Sequence, residues 1–137
     1  MTPFHLAFPV RDLDETRAFY IDVLGCEQGR SSHTWTDFSL FGHQMSAHLR
    51  PGEINHSQGM VDGAGVPIPH FGVVLSMENW NALADRLSGR EDVDWIMEPT
   101  RRFVGEPGEQ ATLFIRDPSG NALEFKGYAS ADAIFAT

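Results

Sequence analysis

Cysteine is almost missing from this sequence: its 137 residues contain one, Cys26, so no internal disulfide can form and packing must hold the fold. Long apolar runs are missing as well. No stretch approaches the roughly 18 apolar residues of a membrane span, and the mean hydropathy is −0.24. Basic residues are scarce, ten Lys and Arg against nineteen Asp and Glu, for a formal charge of −9. Such a surface repels nucleic acid and anionic membrane, which proteins bind chiefly through basic side chains, so neither is an expected partner. The basic leader and long apolar stretch of a signal peptide are also lacking, and a cytoplasmic location is expected.

What is present reads as one pattern written twice. The length suits a single domain with a real core. A strand is expected at about Phe4–Val10, then a helix capped by Asp12 or Asp14, with the Asp12/Glu15 spacing of a capping box. Phe19, Tyr20, Val23 and Leu24 give that helix an apolar stripe, and Gly25 is suited to end it. Short strands follow near Gln28–Ser32, Trp35–Phe41 and Gln44–Leu49, with Gly42-His43 as the turn between the last two. The first module thus covers about 3–50, and a Gly-, Pro- and Asn-rich linker about 51–66. The second module, about 67–128, begins with a strand at Ile68–Leu75 and a helix capped by Ser76 and ended by Gly89. Strands near Val93–Met97, Ala111–Arg116 and Asn121–Tyr128 complete it, the last two joined by an Asp117-Pro118-Ser119-Gly120 turn. Residues 129–137 read as a tail. Superposing the halves sets His5 opposite His70.

Strand alternation turns three scattered residues into one hypothesis. Phe4, Leu6, Phe8 and Val10 share a face, leaving His5, Ala7 and Pro9 on the other. Phe71, Val73 and Leu75 oppose His70, Gly72 and Val74, and Leu123 and Phe125 oppose Ala122, Glu124 and Lys126. The bulky faces suit contact with the helices. The opposite faces set small residues beside His5, His70 and Glu124, which leaves room for a cavity. Two imidazoles and a carboxylate form the ligand set of an open divalent metal site, typified by non-haem Fe(II) oxygenases. His48 falls on the same phase and is a candidate fourth ligand or outer contact. The other histidines, His33, His43 and His56, read as surface residues.

These residues resemble the vicinal oxygen chelate superfamily, which includes glyoxalase I, extradiol dioxygenases, fosfomycin-resistance thioltransferases and bleomycin-binding proteins. The resemblance runs from about Phe4 to Tyr128. It rests on His5, on "RDLDETRAFYIDVLG", on His70, and on the closing "FIRDPSGNALEFKGY". It implies an α+β fold of two tandem βαβββ modules, forming a curled mixed sheet around a metal-binding cup. It also implies His5, His70 and Glu124 as metal ligands, Fe(II) or Mn(II) as the favoured ion, with Zn(II) or Ni(II) as alternatives. A small substrate would chelate the ion through adjacent oxygens. A homodimer is expected, because in many relatives the cup is completed by modules of two chains. The implied activity is that of a dioxygenase-like oxidoreductase. A glyoxalase-type lyase or isomerase, a thioltransferase and a bleomycin-type binding protein remain as alternatives.

The sequence departs from the extradiol pattern in two places. The tyrosine ten residues before the ligand glutamate is Phe114 here, and its companion histidine is missing from Gly105–Pro107. Proton handling would then fall to His48 or Tyr128. Arg102 and Arg116 are candidates to hold a substrate carboxylate, and Phe103, Phe114 and Trp95 to pack a ring; otherwise they are surface cations and core aromatics.

Overall fold

A computed structural model of the chain describes residues 2–54 and 66–135. It contains two compact units: residues 2–54 with Asp117–Asn121, and the remaining described residues.

In the first unit, β1 (His5–Val10) is followed by α1 (Leu13–Arg17), then β2 (Glu27–Ser31), β3 (Trp35–Leu40) and β4 (His43–Leu49). The Asp12 carboxylate caps α1 by accepting from the Glu15 N–H at 2.8 Å. Only half of the capping box forms, since the Glu15 carboxylate pairs instead with the Arg11 guanidinium at 2.6 Å. From Ala18 to Val23 the helix widens into π-type turns, which rotate Phe19, Tyr20 and Val23 into the core. Gly25, at φ 79°, then releases the chain. The strand order is β1-β4-β3-β2, with β1 parallel to β4 and the other pairs antiparallel. Tyr20, fully buried, lies among Phe8, Phe19 and Phe38, with ring centroids 4.9–5.7 Å away. The β3–β4 turn is Phe41-Gly42, one residue earlier than expected. Both take positive φ, 52° and 89°, which is two-residue hairpin geometry and places His43 in the strand opposite Leu40.

The second unit repeats the plan with β5 (Phe71–Ser76), α2 (Met77–Ser88), β6 (Asp94–Arg102), β7 (Gln110–Arg116) and β8 (Ala122–Tyr128). Its strand order is β5-β8-β7-β6, the first order shifted by four, so the fold is a tandem pair of βαβββ modules and neither sheet is closed. Ser76 caps α2 by accepting from the Asn79 N–H, and Gly89 ends it. Trp80, Leu83, Ala84 and Leu87 bury the apolar side of α2. The Trp80 indole N–H donates to the Phe125 carbonyl at 2.9 Å, seating α2 on β8. Gly127 makes that seat possible, since a Cβ there would come within 2.7 Å of the Trp80 Cβ. β6 runs well past the expected Met97, with register shifts on both sides of Met97 that a period-two reading could not anticipate. Beyond Arg50, Pro51–Glu53 makes a short 3-10 turn; most of the expected linker, including His56, lies outside the described residues.

The strand phases hold within the strands, but Phe4, expected on the inward face, precedes β1 and is 64% exposed. Phe8 and Val10 are buried while His5 and Ala7 are exposed; Leu75 is buried while Gly72 and Val74 are exposed. Trp95 pairs with Ile115 and so shares the inward face rather than the open one.

Candidate metal centre

His70 and Glu124 meet. The imidazole Nε2 lies 3.1 Å from Glu124 Oε1. His70 precedes β5 by one residue, and Glu124 sits in β8, the strand that pairs in parallel with β5. Each group is also held from behind. His70 Nδ1 is 2.8 Å from the Pro67 carbonyl, which can only accept, so Nδ1 carries a proton and Nε2 is the nitrogen turned toward Glu124. The Thr112 hydroxyl donates to Glu124 Oε2 at 2.7 Å, leaving Oε1 on the His70 side. Phe114 packs edge-on against the imidazole, with centroids 5.0 Å apart and planes at 84°.

This donor set fits a divalent cation. A neutral imidazole nitrogen facing a carboxylate oxygen sets two lone pairs against each other unless a cation, or a further proton on the ring, lies between them. Ligand atoms each about 2.1 Å from one ion, bound at right angles, lie about 3.0 Å apart. The observed separation matches. Metal-bound histidines characteristically donate their second nitrogen to a carbonyl or carboxylate, and ligand carboxylates are themselves hydrogen-bonded. Both arrangements are present here.

Two local features place Glu124. Gly72 lies directly opposite it across the β5–β8 ladder, and a Cβ at Gly72 would collide with the Glu124 carbonyl oxygen. The turn before β8 is tied by Asp117, whose carboxylate accepts from the backbone N–H groups of Ser119 and Asn121, the Asn121 amide and the Tyr20 hydroxyl, all at 2.8–2.9 Å. Gly120 supplies the positive φ of 90° this turn needs. Burial pushes the Asp117 carboxyl up, opposed by the hydrogen bonds from Asn121, Tyr20 and Ser119. Burial, reinforced by Asp117, raises the Tyr20 phenol well above its ordinary value. The Asp117–Asn121 turn that precedes β8 is therefore tied by hydrogen bonds within the first unit.

His5 is exposed at the start of β1 in the first unit, and among the described residues no three His, Cys, Asp or Glu side chains gather as a metal site. His48 is half-buried on β4, beside a groove of about 480 Å³ lined also by Ala7, Pro9, Arg50 and Glu53. His43 is no bystander: its Nδ1 accepts from the Phe4 N–H at 2.8 Å. The Tyr128 hydroxyl is 3.3 Å from Gln110 Oε1. Arg102 lies over the Phe103 ring at 5.5 Å, both exposed, Phe103 with φ 58°. Register sets Arg116 opposite Asp94 and Ala122. Strand alternation sets Thr112 on the same face as Phe114, but nothing in the sequence signals that its hydroxyl holds Glu124. The Pro67 carbonyl left no sequence signal at all, because a backbone acceptor has none.

The chain matches the family model described as Glyoxalase/Bleomycin resistance protein/Dioxygenase superfamily over residues 2–125. It is similar to the crystal structure of a glyoxalase/bleomycin resistance protein/dioxygenase from Alicyclobacillus acidocaldarius, at 32% identity and TM-score 0.82, covering 98% of this chain and 96% of that one. A fosfomycin resistance protein, FosX, from Listeria monocytogenes shares the fold at 13% identity and TM-score 0.69, with 98% of each chain covered. A virulence protein from Salmonella typhimurium shares it at 22% identity and TM-score 0.61, over 93% of this chain and 97% of that one. Two βαβββ modules, the tied turn before Glu124 and the match across most of its length place this chain in the glyoxalase/bleomycin resistance/dioxygenase superfamily.

Proposed function

We propose that this protein is a divalent-metal-dependent enzyme, dioxygenase-like, acting on a small substrate that chelates the ion through adjacent oxygens. The observation that carries the reading is the His70–Glu124 contact at 3.1 Å, with Pro67 and Thr112 behind its two members. His5 is the proposed third ligand, supplied in a homodimer by His5 of the partner subunit. Two imidazoles and one carboxylate suit Fe(II), with Mn(II), Zn(II) and Ni(II) as alternatives that geometry and metal supply, not raw affinity, decide between. When bound, the ion supplies Lewis acidity and open positions for two substrate oxygens and O₂.

The chain's own residues do the rest. Pro67 and Thr112 hold the two donors in register, so substrate binding need not reorganise them. Phe114 fixes the imidazole plane and keeps water from that side. His48 is the proposed base for a substrate hydroxyl proton, with the Tyr128 hydroxyl as a second proton carrier. Arg102, Arg116 and Phe103 are proposed substrate contacts of lesser weight.

Metal content measured on anaerobically purified protein, with O₂ uptake on a panel of vicinal diols, tests the proposal. Retained iron with diol-dependent O₂ uptake is the expected result. Metal retention with isomerisation or thiol transfer instead would keep the metal centre and remove the oxygenase reading. Tight small-molecule binding indifferent to chelator would remove the enzyme reading altogether.

A further inference from the structure

The open face of the second sheet carries a cation that the proposed activity has not used. Cross-strand register arranges this face in rows. Phe114, Glu124 and Gly72 form one; Thr112, Lys126 and Val74 the next, with Thr100 beside Thr112; and Gln110, Tyr128 and Ser76 a third, with Arg102 beside Gln110. Rows on one face are about 7 Å apart, two residues of strand rise. Lys126 is therefore one row from Glu124, on the same strand and the same face. It is half-buried, yet its ammonium makes no hydrogen bond or ion pair with any other described residue.

That arrangement needs a reason. Its aliphatic stem can lie along the sheet while the ammonium faces the open side, and no acidic side chain among the described residues pairs with it although the chain carries a formal charge of −9. Its row neighbours are a valine and two threonines, which offer hydroxyls but no charge. The Thr112 hydroxyl is already given to Glu124. Glu124 itself faces His70 and Thr112. In an acidic protein, a cation without a partner among the described residues, one row from the proposed metal half-site, is what an anionic substrate group would complete.

We infer that Lys126 is a specificity-determining residue that binds a carboxylate of the substrate, so the substrate class is a small acid whose chelating oxygens and carboxylate lie at opposite ends. The inference deepens the metal-enzyme reading and rests on it for the position of the chelating end. A Lys ammonium suits this task as a compact charge on a flexible stem, able to reach a single carboxylate oxygen. The Thr100 hydroxyl already donates to the Glu98 carbonyl at 2.8 Å, so the nearest further donor is Arg102, a row away, at the distance of a longer substrate.

Four probes separate the two ends: catechol, 3,4-dihydroxybenzoate, benzoate and phenol, titrated by NMR into Mn-free Zn(II)-loaded and EDTA-treated protein. The wild type should bind 3,4-dihydroxybenzoate about tenfold or more tighter than catechol, the range of one charge-assisted hydrogen bond. Lys126→Met should erase that preference while leaving catechol unchanged, and Lys126→Arg should restore it. Benzoate should bind with or without metal and weaken in Lys126→Met. An undiminished preference in Lys126→Met, in protein with the wild-type melting temperature, overturns the inference while the metal reading stands. Catechol binding indifferent to EDTA removes the metal reading, while Lys126-dependent benzoate binding would still support the carboxylate subsite. If Lys126→Met does not fold, Lys126→Arg against Lys126→Gln carries the same comparison.

Discussion

At the residue scale, the donor pair depends on its supports as much as on its members. Thr112→Val removes the hydrogen bond to Glu124 Oε2 and leaves the carboxylate free to rotate. Loss of such an outer partner should weaken metal affinity about 10- to 100-fold, read by competition with a chromophoric chelator. Tyr20 gives a pH test of the turn before β8. Its folded-state value is raised, so its contribution is complete below the ordinary phenol value of 10 and is lost as pH rises beyond it. Tyr20→Phe leaves Asp117 short of a donor and should cost about 1–3 kcal/mol at neutral pH. The gap between the two proteins' thermal stabilities should then narrow above pH 10. A gap that widens there would contradict the assignment. The shared face of His70 and Glu124 was legible in the sequence because strand alternation has one phase. The ring orientation of His70 was not, because it is set by a backbone carbonyl that no side-chain pattern reports.

At the scale of elements, β5 and β8 are the pair on which the centre depends. Gly72 lets the two backbones approach where Glu124 sits, so Gly72→Ala must push the strands apart. A destabilisation of about 1–3 kcal/mol or more is expected, with metal affinity falling further than in Gly127→Ala, whose added methyl meets Trp80 instead. Equal effects of the two on metal binding would show that Gly72 serves packing alone. Sequence reading recovered both helices, with Ser76 as one cap and Asp12 as one of two candidates for the other, and all eight strands in chain order. It missed where spacing obeys no single period. The π-type turns at Ala18–Val23, the Phe41-Gly42 turn and the shifts around Met97 each depart from a repeat of 3.6 or two. The failed half of the capping box has another cause: Arg11, four residues before Glu15, offers its carboxylate a charged partner.

At the scale of the whole molecule, the duplication is what a sequence pattern can convey, and assembly is what it cannot. Among the described residues, none of the helices is long and apolar enough to cross a membrane. The homodimer proposal makes a sharp expectation. His5→Ala and His70→Ala proteins should each lose metal, but unfolded and refolded together they should regain it, because half of the resulting dimers contain one intact site. The recovery should reach about a quarter of the wild-type content per chain for random pairing of subunits. No recovery would place all three ligands within one chain.

The account rests on His70 and Glu124 as metal ligands. The most direct test is anaerobic titration of metal-free protein with Fe(II), alongside Glu124→Gln. Saturation at one ion per site in the wild type, and its loss in Glu124→Gln with the fold intact by circular dichroism, is predicted. Absence of stoichiometric binding, or equal binding by both proteins, would contradict it.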